Sequence, residues 1–238
     1  MHNTKLVLVR FKIGGNLRFL SHAETVRFFE RACVRAGIEM QYSQGFNPRP
    51  RLSLPLPRPV GVESDEELLC IRINKSTSAQ EHKSTSDLCT SVRTRLAEQL
   101  PKNFKLLSIE AIKAKCAPQP RLAKYVLAVR PEFVDDRLRV TIKRLLASES
   151  LNVQRWKDTR HKTPDSRHKT PDTRPKTVDV RDFLESIELD EDDIVVECKI
   201  SSAGSIRVDE ILKLLELDVE KLAAPIRRTN VQWQVSES

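Results

Sequence analysis

A short stretch of the sequence concentrates side chains of the kinds that hold nucleic acid. Residues 42–51, YSQGFNPRPR, combine a tyrosine, amides and two arginines with prolines that stiffen the backbone. Single-stranded RNA is usually held by bases stacking on aromatic rings and by forked guanidinium contacts to phosphates. The candidate contacts here are Tyr42, Gln44, Asn47, Arg49 and Arg51. An alternative interpretation packs Tyr42 and Phe46 under a sheet and leaves the arginines solvated.

The candidate contact surface also includes three residues that lie earlier in the sequence: Arg10, Arg18 and His22. Ser21 and Glu24 have the spacing of a capping box, which predicts that a helix begins beside His22. A histidine at that position can act as a general base or contact RNA, or it can be an exposed residue of the first turn. As a base it needs a partner, so we assign no catalytic residue from the sequence. The partners that chain order offers are Arg18, Tyr42, Ser43 and Arg49.

Motifs for nucleotide binding, metal-dependent proteolysis and serine hydrolysis are missing from the sequence. The five cysteines are an odd number, widely spaced and without a C-x-x-C pair, which argues against disulfides and against zinc or iron–sulfur sites. We interpret them as buried, reduced thiols. His161 and His168 lie in a polar repeat and are not predicted to bind a metal. The sequence therefore predicts no metal and no cofactor in this chain.

The charge of the 238-residue chain is unevenly distributed. Its net charge is +8, and residues 1–115 carry 19 Lys and Arg against 11 Asp and Glu, whereas the remainder carries 22 of each. A basic field of this kind favours polyanions, of which nucleic acid is the commonest. No apolar run approaches the ~20 residues of a membrane helix, and the first residues lack the apolar core of a signal peptide. We therefore expect a cytoplasmic protein that does not contact a membrane.

The elements that position these residues follow a β-α-β-β-α-β order within residues 1–116. Alternation and capping signals predict strands at 5–13, 51–57, 67–73 and 104–114, and helices at 21–37 and 87–99. This order is typical of a ferredoxin-like unit, in which the second strand lies at an edge of the sheet. Pro55, Pro57 and Pro59 share one parity, and only an edge strand tolerates missing donors along one side.

The element order restarts in residues 117–238. Strands are predicted at 124–131, 151–156, 193–201 and 230–235. One helix is predicted between the first and second of these strands and another between the third and fourth. An insertion at 158–177 carries most of the seven-residue repeat RHKTPDS, RHKTPDT, RPKTVDV, which has no apolar face and predicts a mobile loop. The sequence therefore predicts an α+β fold of two tandem ferredoxin-like βαββαβ units.

Residues 15–64, GNLRFLSHAETVRFFERACVRAGIEMQYSQGFNPRPRLSLPLPRPVGVES, resemble the signature of a known bacterial family. The family is the radical-SAM-linked domain of unknown function, with the patterns G-x-L-R-F-x-S-H-x-(D/E), R-A-x-R-R-A-G, Y-S-x-G-F-(N/H)-P-x-P and G-x-x-S. VDVRDFLESIEL and GSIRVDEIL resemble its second half, so the likeness covers nearly the whole chain. Cys33 and Val34 stand where the family usually has a basic residue, and the seven-residue repeat lengthens a linker that is often shorter.

The resemblance implies a partner in radical chemistry. The family's members are commonly fused to, or encoded beside, a cobalamin-binding radical S-adenosylmethionine (radical-SAM) protein, often near a ribonuclease of the E/G class. This chain has no C-x-x-x-C-x-x-C motif for the radical enzyme's cluster. We therefore expect an accessory, non-catalytic subunit that binds an anionic substrate, most simply RNA, and presents it to that partner. The alternatives are a protein–protein docking module without nucleic-acid binding and, by analogy with tandem ferredoxin-like CRISPR enzymes, a metal-independent endoribonuclease.

Overall fold

The computed structural model describes residues 5–74, 84–113, 116–156 and 175–235. The strands are β1 (Lys5–Ile13), β2 (Leu52–Ser53), β3 (Glu63–Ile73), β4 (Phe104–Ile112), β5 (Gln119–Ala128), β6 (Asn152–Arg155), β7 (Lys176–Asp179), β8 (Leu184–Asp190), β9 (Asp193–Ser201), β10 (Gly204–Ser205) and β11 (Arg227–Gln234). The helices are α1 (His22–Arg35), α2 (Thr85–Ala97), α3 (Asp136–Ala147) and α4 (Val208–Leu214).

One nine-stranded sheet connects the two halves of the sequence. Its order is β10-β9-β5-β11-β3-β1-β4, with β2 beside β3 and β8 beside β9. Neighbouring strands are antiparallel except β11 and β3, which run parallel. The predicted α+β class is confirmed. The first half contributes the order β4-β1-β3-β2 and the second half the order β11-β5-β9-β8. The finer interpretation as tandem ferredoxin-like units stays a prediction.

The prediction for the second strand of the second half is wrong. Residues 151–156 were expected in the main sheet, but β6 instead pairs with β7 in a separate two-stranded sheet. The place beside β9 belongs to β8, which the sequence analysis did not assign as a strand. A tight turn joins β8 to β9, with Glu191 at a positive φ of 51°. Both segments have strand-like patterns, and the short connection to β9 decides which one enters the sheet.

In the first half of the sequence, the elements that local sequence signals predict are present. In β1, Val7, Val9, Phe11 and Ile13 face the core beneath α1, while Leu6 and Leu8 pack on the opposite face of the sheet. The capping box is present, because the amide of Ser21 donates to the Glu24 carboxylate at 2.8 Å and the Glu24 amide donates back at 3.3 Å. The helix therefore begins at His22, as the sequence predicts.

The outer edge of β3 has two different neighbours with a gap between them. β11 pairs with β3 at Glu63 and Ser64, and β2 pairs with it at Cys70 and Ile71. Among the described residues, positions 65–69 of β3 have no strand partner on this edge. The predicted strand at 51–57 is reduced to β2, and Pro55, Pro57 and Pro59 follow it beside the gap. Prolines suit that place because no ladder hydrogen bond needs their missing N–H groups.

The two larger core clusters draw on different halves of the sequence. One lies between α1, α2 and the sheet strands β1, β3 and β4, and the other lies around β5, β9 and α3. The division into residues 1–116 and 117–238 stays a prediction, because the sheet is continuous. Most of the predicted insertion at 158–177, with His161 and His168, lies outside the described residues. Within the described residues, no helix has both the length and the apolar character needed to cross a membrane.

Candidate functional site

Residues 39–51 form a hairpin at the outer edge of β3. At its base, the amide of Gln41 donates to the carbonyl of Arg72 (2.7 Å), and the amide of Arg72 donates to the carbonyl of Arg51 (3.0 Å). Further out, the amide of Ser43 donates to the carbonyl of Arg49 (2.8 Å), and the amide of Arg49 donates to the Ser43 hydroxyl (3.0 Å). These bonds hold both arms, so the backbone is organised up to the tip at residues 44–48.

The tip presents an aromatic ring to solvent. Phe46 is fully exposed (102% relative to a free residue), and Tyr42 is 44% exposed. The alternative interpretation that packs both rings under the sheet is therefore wrong. Gly45 has a φ of +129°, a conformation that other residues rarely adopt, and it turns the chain into the tip. Phe46 was not among the predicted contacts, although its place in a turn between Gly45 and Asn47 indicates exposure.

Beyond Glu39 at its base, the hairpin carries only positive charge. Residues 40–62 contain no Asp or Glu and three arginines, of which Arg58 is buried. Arg49 and Arg51 are exposed, and no residue that the structure describes makes a hydrogen bond or ion pair with either guanidinium. Gln44 and Asn47 are also exposed. The hairpin therefore brings together five predicted contact residues, namely Tyr42, Gln44, Asn47, Arg49 and Arg51.

The other predicted arginines lie elsewhere and are already engaged. Arg10 is on β1 and forms an ion pair with Glu66 of β3, on the face of the sheet opposite α1. Arg18 donates to the carbonyl of Gly15 (2.9 Å), and its guanidinium stacks over the Phe19 ring at 4.3 Å. The structure therefore divides the predicted contact set among three places: the hairpin, the region of Arg18 and His22, and the opposite face of the sheet, where Arg10 lies.

A small pocket lies beside the gap in the outer edge of β3. It encloses about 230 Å³ of space, part of which is open to solvent. We call it the histidine pocket. Its lining residues are Phe11, His22, Thr25, Leu54, Leu56, Arg58 and Glu67.

Glu67, at the wall of the histidine pocket, forms a buried ion pair with Arg228. The Nε of Arg228 donates to Oε1 of Glu67 at 3.2 Å, and its Nη2 contacts the same oxygen. Arg228 is completely buried and Glu67 is 4% exposed. Burial lowers the pKa of Arg228, but Glu67 and Tyr125 more than compensate, so its pKa is raised and it stays charged. Oε2 of Glu67 accepts no hydrogen bond from the described residues.

Arg58 fixes the backbone that leads into α1. Its two terminal nitrogens donate to the carbonyls of five residues: Leu17, Arg18, Leu20, Pro59 and Val62. The bond to Arg18 is 2.7 Å long and that to Leu20 is 3.1 Å long. These carbonyls belong to the turn before His22 and to the loop after Arg58. The Arg58 side chain is therefore a structural clamp that has no terminal donor left for a ligand.

His22 stands at the start of α1 and is half-buried against the histidine pocket. Burial lowers the pKa of its imidazole, and the Glu67 carboxylate opposes that effect only in part. The ring is therefore neutral at physiological pH, with one nitrogen as donor and the other as acceptor. Glu67 was not among the partners that the sequence suggested for His22. An acid within the apolar strand ELLCIRI was the available signal.

The prediction that all five thiols are buried is wrong for Cys89, which is half-buried, and for Cys116, which is exposed. Cys33, Cys70 and Cys198 are buried, and burial raises the pKa of each thiol to about 12, which makes them poor nucleophiles. Across the described ranges, no group of three or more His, Cys, Asp or Glu side chains is placed to hold a metal.

The fold and the site define an α+β protein that carries an exposed basic hairpin and a small histidine pocket. The model of a bacterial family described as an uncharacterized protein conserved in bacteria (DUF2344) matches residues 7–212. The chain belongs to this family. The match includes the hairpin and the whole lining of the histidine pocket, and it ends before Arg228. No curated protein matches the chain. A bacterial family of unknown function is thus confirmed, while the link to radical-SAM proteins stays a prediction.

Proposed function

We propose that this protein is an accessory, non-catalytic subunit that binds RNA through its hairpin and presents it to a cobalamin-binding radical-SAM partner in the cytoplasm. The observation that supports RNA binding is the hairpin itself, which carries an exposed Phe46 ring at its tip and the unpaired guanidinium groups of Arg49 and Arg51 on its second arm. The partner is suggested by the resemblance of residues 15–64 to the radical-SAM-linked family. The proposal treats the sheet as two ferredoxin-like units joined edge to edge where β3 pairs with β11.

The hairpin has the chemistry that single-stranded RNA requires. A base stacked on an aromatic ring gains about 1–3 kcal/mol, and guanidinium forks match phosphate oxygens. Because hydrogen bonds already hold both arms, binding costs little ordering of the backbone. The absence of Asp and Glu from residues 40–62 removes local repulsion of phosphates. RNA is therefore favoured over an apolar protein partner, since Phe46 has polar and charged neighbours rather than an apolar patch.

A metal-independent endoribonuclease is a second candidate, and the placement of His22 beside Glu67 favours it. Such an enzyme uses one group to take the proton from the 2′-hydroxyl and another to protonate the leaving oxygen. His22 is the one titrating group near neutrality in the pocket lining, which is why binding without cleavage is preferred. Labelled RNA incubated with the protein in EDTA distinguishes the two, because cleavage that disappears in a His22→Ala variant would support the enzyme.

The proposal is tested by the salt dependence of RNA binding. Fluorescence anisotropy with a labelled single-stranded RNA should give a linear plot of log affinity against log salt. The double variant Arg49→Ala with Arg51→Ala should lower the slope by about 2, because two phosphate contacts are lost. The matched control is Arg121→Ala with Arg139→Ala, which removes two exposed arginines from the other half of the sequence. An unchanged slope in the hairpin variant, or an equal loss in the control, would refute the hairpin as the contact.

The role of the partner needs a separate experiment. The protein should be purified from its native bacterium with and without nuclease, and the captured proteins and RNA identified. Capture of a radical-SAM protein together with a defined RNA supports the accessory role. Capture that survives nuclease, with no RNA in the preparation, supports the docking module instead. Capture of RNA alone would support RNA binding and refute the proposed radical-SAM partner.

A further inference from the structure

We propose that the histidine pocket holds the ribose 2′-hydroxyl of the bound strand, so that this protein selects RNA over DNA. The inference rests on the proposed function, because it takes the ligand to be a nucleic acid that the hairpin also contacts. The two places are separated by six residues along β3, from Glu67 to Ile73 at the base of the hairpin. That distance is about 20 Å, within reach of a single strand of ~4 nucleotides or more.

Two side chains of the pocket lining, those of Glu67 and His22, each have a polar atom without a hydrogen-bond partner among the described residues. Oε1 of Glu67 is taken by Arg228, whereas Oε2 accepts no bond from the described residues. The terminal nitrogens of Arg58 all donate to backbone carbonyls, and the Thr25 hydroxyl donates to the carbonyl of Ser21 at 2.9 Å. The imidazole of His22 makes no side-chain hydrogen bond within the described ranges. A ligand therefore meets one carboxylate oxygen and one neutral imidazole.

The charges around the pocket exclude ionic ligands. An anion would meet the carboxylate of Glu67, while the terminal nitrogens of Arg58 already donate to backbone carbonyls and Arg228 is engaged with Glu67. A cation would meet two buried arginines for a single buried carboxylate. The complementary group is neutral, donates one hydrogen bond to Oε2 of Glu67 and exchanges another with His22. A hydroxyl group has that chemistry, since it carries one donor and two acceptor sites.

The size and the apolar wall of the pocket suit a sugar edge better than a base. Its enclosed space has room for about one water-sized group, which a hydroxyl fills and a base exceeds. Phe11, Leu54 and Leu56 provide a wall for the C–H groups beside the hydroxyl. Carboxylates bind ribose hydroxyls in the same way in dinucleotide-binding proteins, and the 2′-hydroxyl is the group by which proteins distinguish RNA from DNA.

The test compares three oligonucleotides of one sequence: RNA, DNA and 2′-O-methyl RNA. Wild-type protein should bind RNA about tenfold or more tightly than DNA, since a hydrogen bond to a charged group is lost with the hydroxyl. The methylated RNA should bind like DNA, because it lacks the donor for Glu67. His22→Ala should reduce the RNA preference while leaving DNA affinity unchanged, and His22→Asn should restore part of it. Arg49→Ala should weaken RNA and DNA equally.

The outcomes separate this inference from the proposed function. Equal binding of RNA and DNA by the wild-type protein would overturn the hydroxyl site, while a hairpin-dependent salt slope would leave the proposed function in place. A preference that survives in His22→Ala would also overturn it. If neither nucleic acid binds at low salt, both proposals fall. The methylated RNA is tested on the unmodified protein, so the result does not depend on whether a variant folds.

Discussion

Glu67 and Arg228, 161 residues apart in the chain, form a buried ion pair that connects β3 to β11. Arg228 also donates to the carbonyl of Pro57 at 3.2 Å, and its own carbonyl accepts from the Ser64 hydroxyl at 3.2 Å. The two strands pair in parallel through only two register positions at this point. The side chains therefore strengthen the junction through which, among the described strands, the two halves of the sheet pair.

Removing one partner of this pair should strongly destabilise the protein. Glu67→Gln leaves the buried Arg228 uncompensated, and breaking a buried pair in this way costs roughly 3–5 kcal/mol of unfolding free energy. The double variant Glu67→Leu with Arg228→Met should recover most of that loss, because apolar residues of similar volume need no partner. Urea unfolding followed by circular dichroism measures both. Asp209→Asn, which removes the exposed pair with Lys213, is the control and should cost under about 0.5 kcal/mol.

Arg58→Lys should also lower the unfolding free energy, by roughly 2–4 kcal/mol, because one ammonium cannot reach five carbonyls and leaves several partly buried acceptors unpaired. Faster hydrogen exchange in residues 15–20 should accompany the loss. The matched change is Arg95→Lys, since Arg95 is exposed and its Nη1 donates to a single carbonyl, that of Gly37, at 2.9 Å. If Arg58→Lys unfolds at the same urea concentration as the wild type, Arg58 is not a structural clamp.

Phe46→Ala should weaken RNA binding without affecting stability. The lost stack is worth about 1–3 kcal/mol, or about five- to 150-fold in affinity, while a fully exposed ring contributes little to folding. Phe46→Trp should retain the affinity, because tryptophan offers an equal or larger stacking face. Val140→Ala, an exposed apolar residue of α3, serves as the control. RNA affinity and the melting temperature should be measured together, and an unchanged affinity would remove Phe46 from the interface.

Stability should fall as the pH decreases from about 6.5. Burial lowers the pKa of His22 below its ordinary value of 6.5, so the unfolded chain binds a proton more readily than the folded one. The contribution of neutral His22 to the free energy of unfolding is fully present above pH 6.5. It is lost as the pH falls through the pKa that His22 has in the folded protein, which is lower than 6.5. His22→Gln should flatten the stability profile between about pH 5 and 7. A profile of equal slope in the variant would show that His22 does not titrate in this way.

Signals within a few residues of one another predicted much of the first half of the fold. The alternation in β1, the Ser21–Glu24 capping box and the glycine that ends α1 each depend on neighbouring positions, and all three are present. The choice between β6 and β8 could not be made in this way. Their patterns are equally compatible with a strand, and pairing with β9 decides which of them joins the main sheet.

The site was predictable in composition but not in arrangement. Tyr42 through Arg51 were identified because their residue types lie close together in the sequence. The histidine pocket was not, since Glu67 and Arg228 are distant in the chain and nothing local indicates that they meet. The exposure of Phe46 was missed for a related reason, because an aromatic residue is core or surface according to the turn that carries it.

Because hydrogen bonds hold the arms of the hairpin, the tip at residues 44–48 can be exchanged as a unit for the tip of another family member. The described core makes no use of Phe46, and the arms are held from outside the tip by the bonds at Gln41, Ser43 and Arg49. Evolution and protein engineering can therefore change the residues of the tip, apart from Gly45 with its positive φ, while the sheet keeps its stability. Transplanting the tip of another family member should transfer its binding preference to this scaffold.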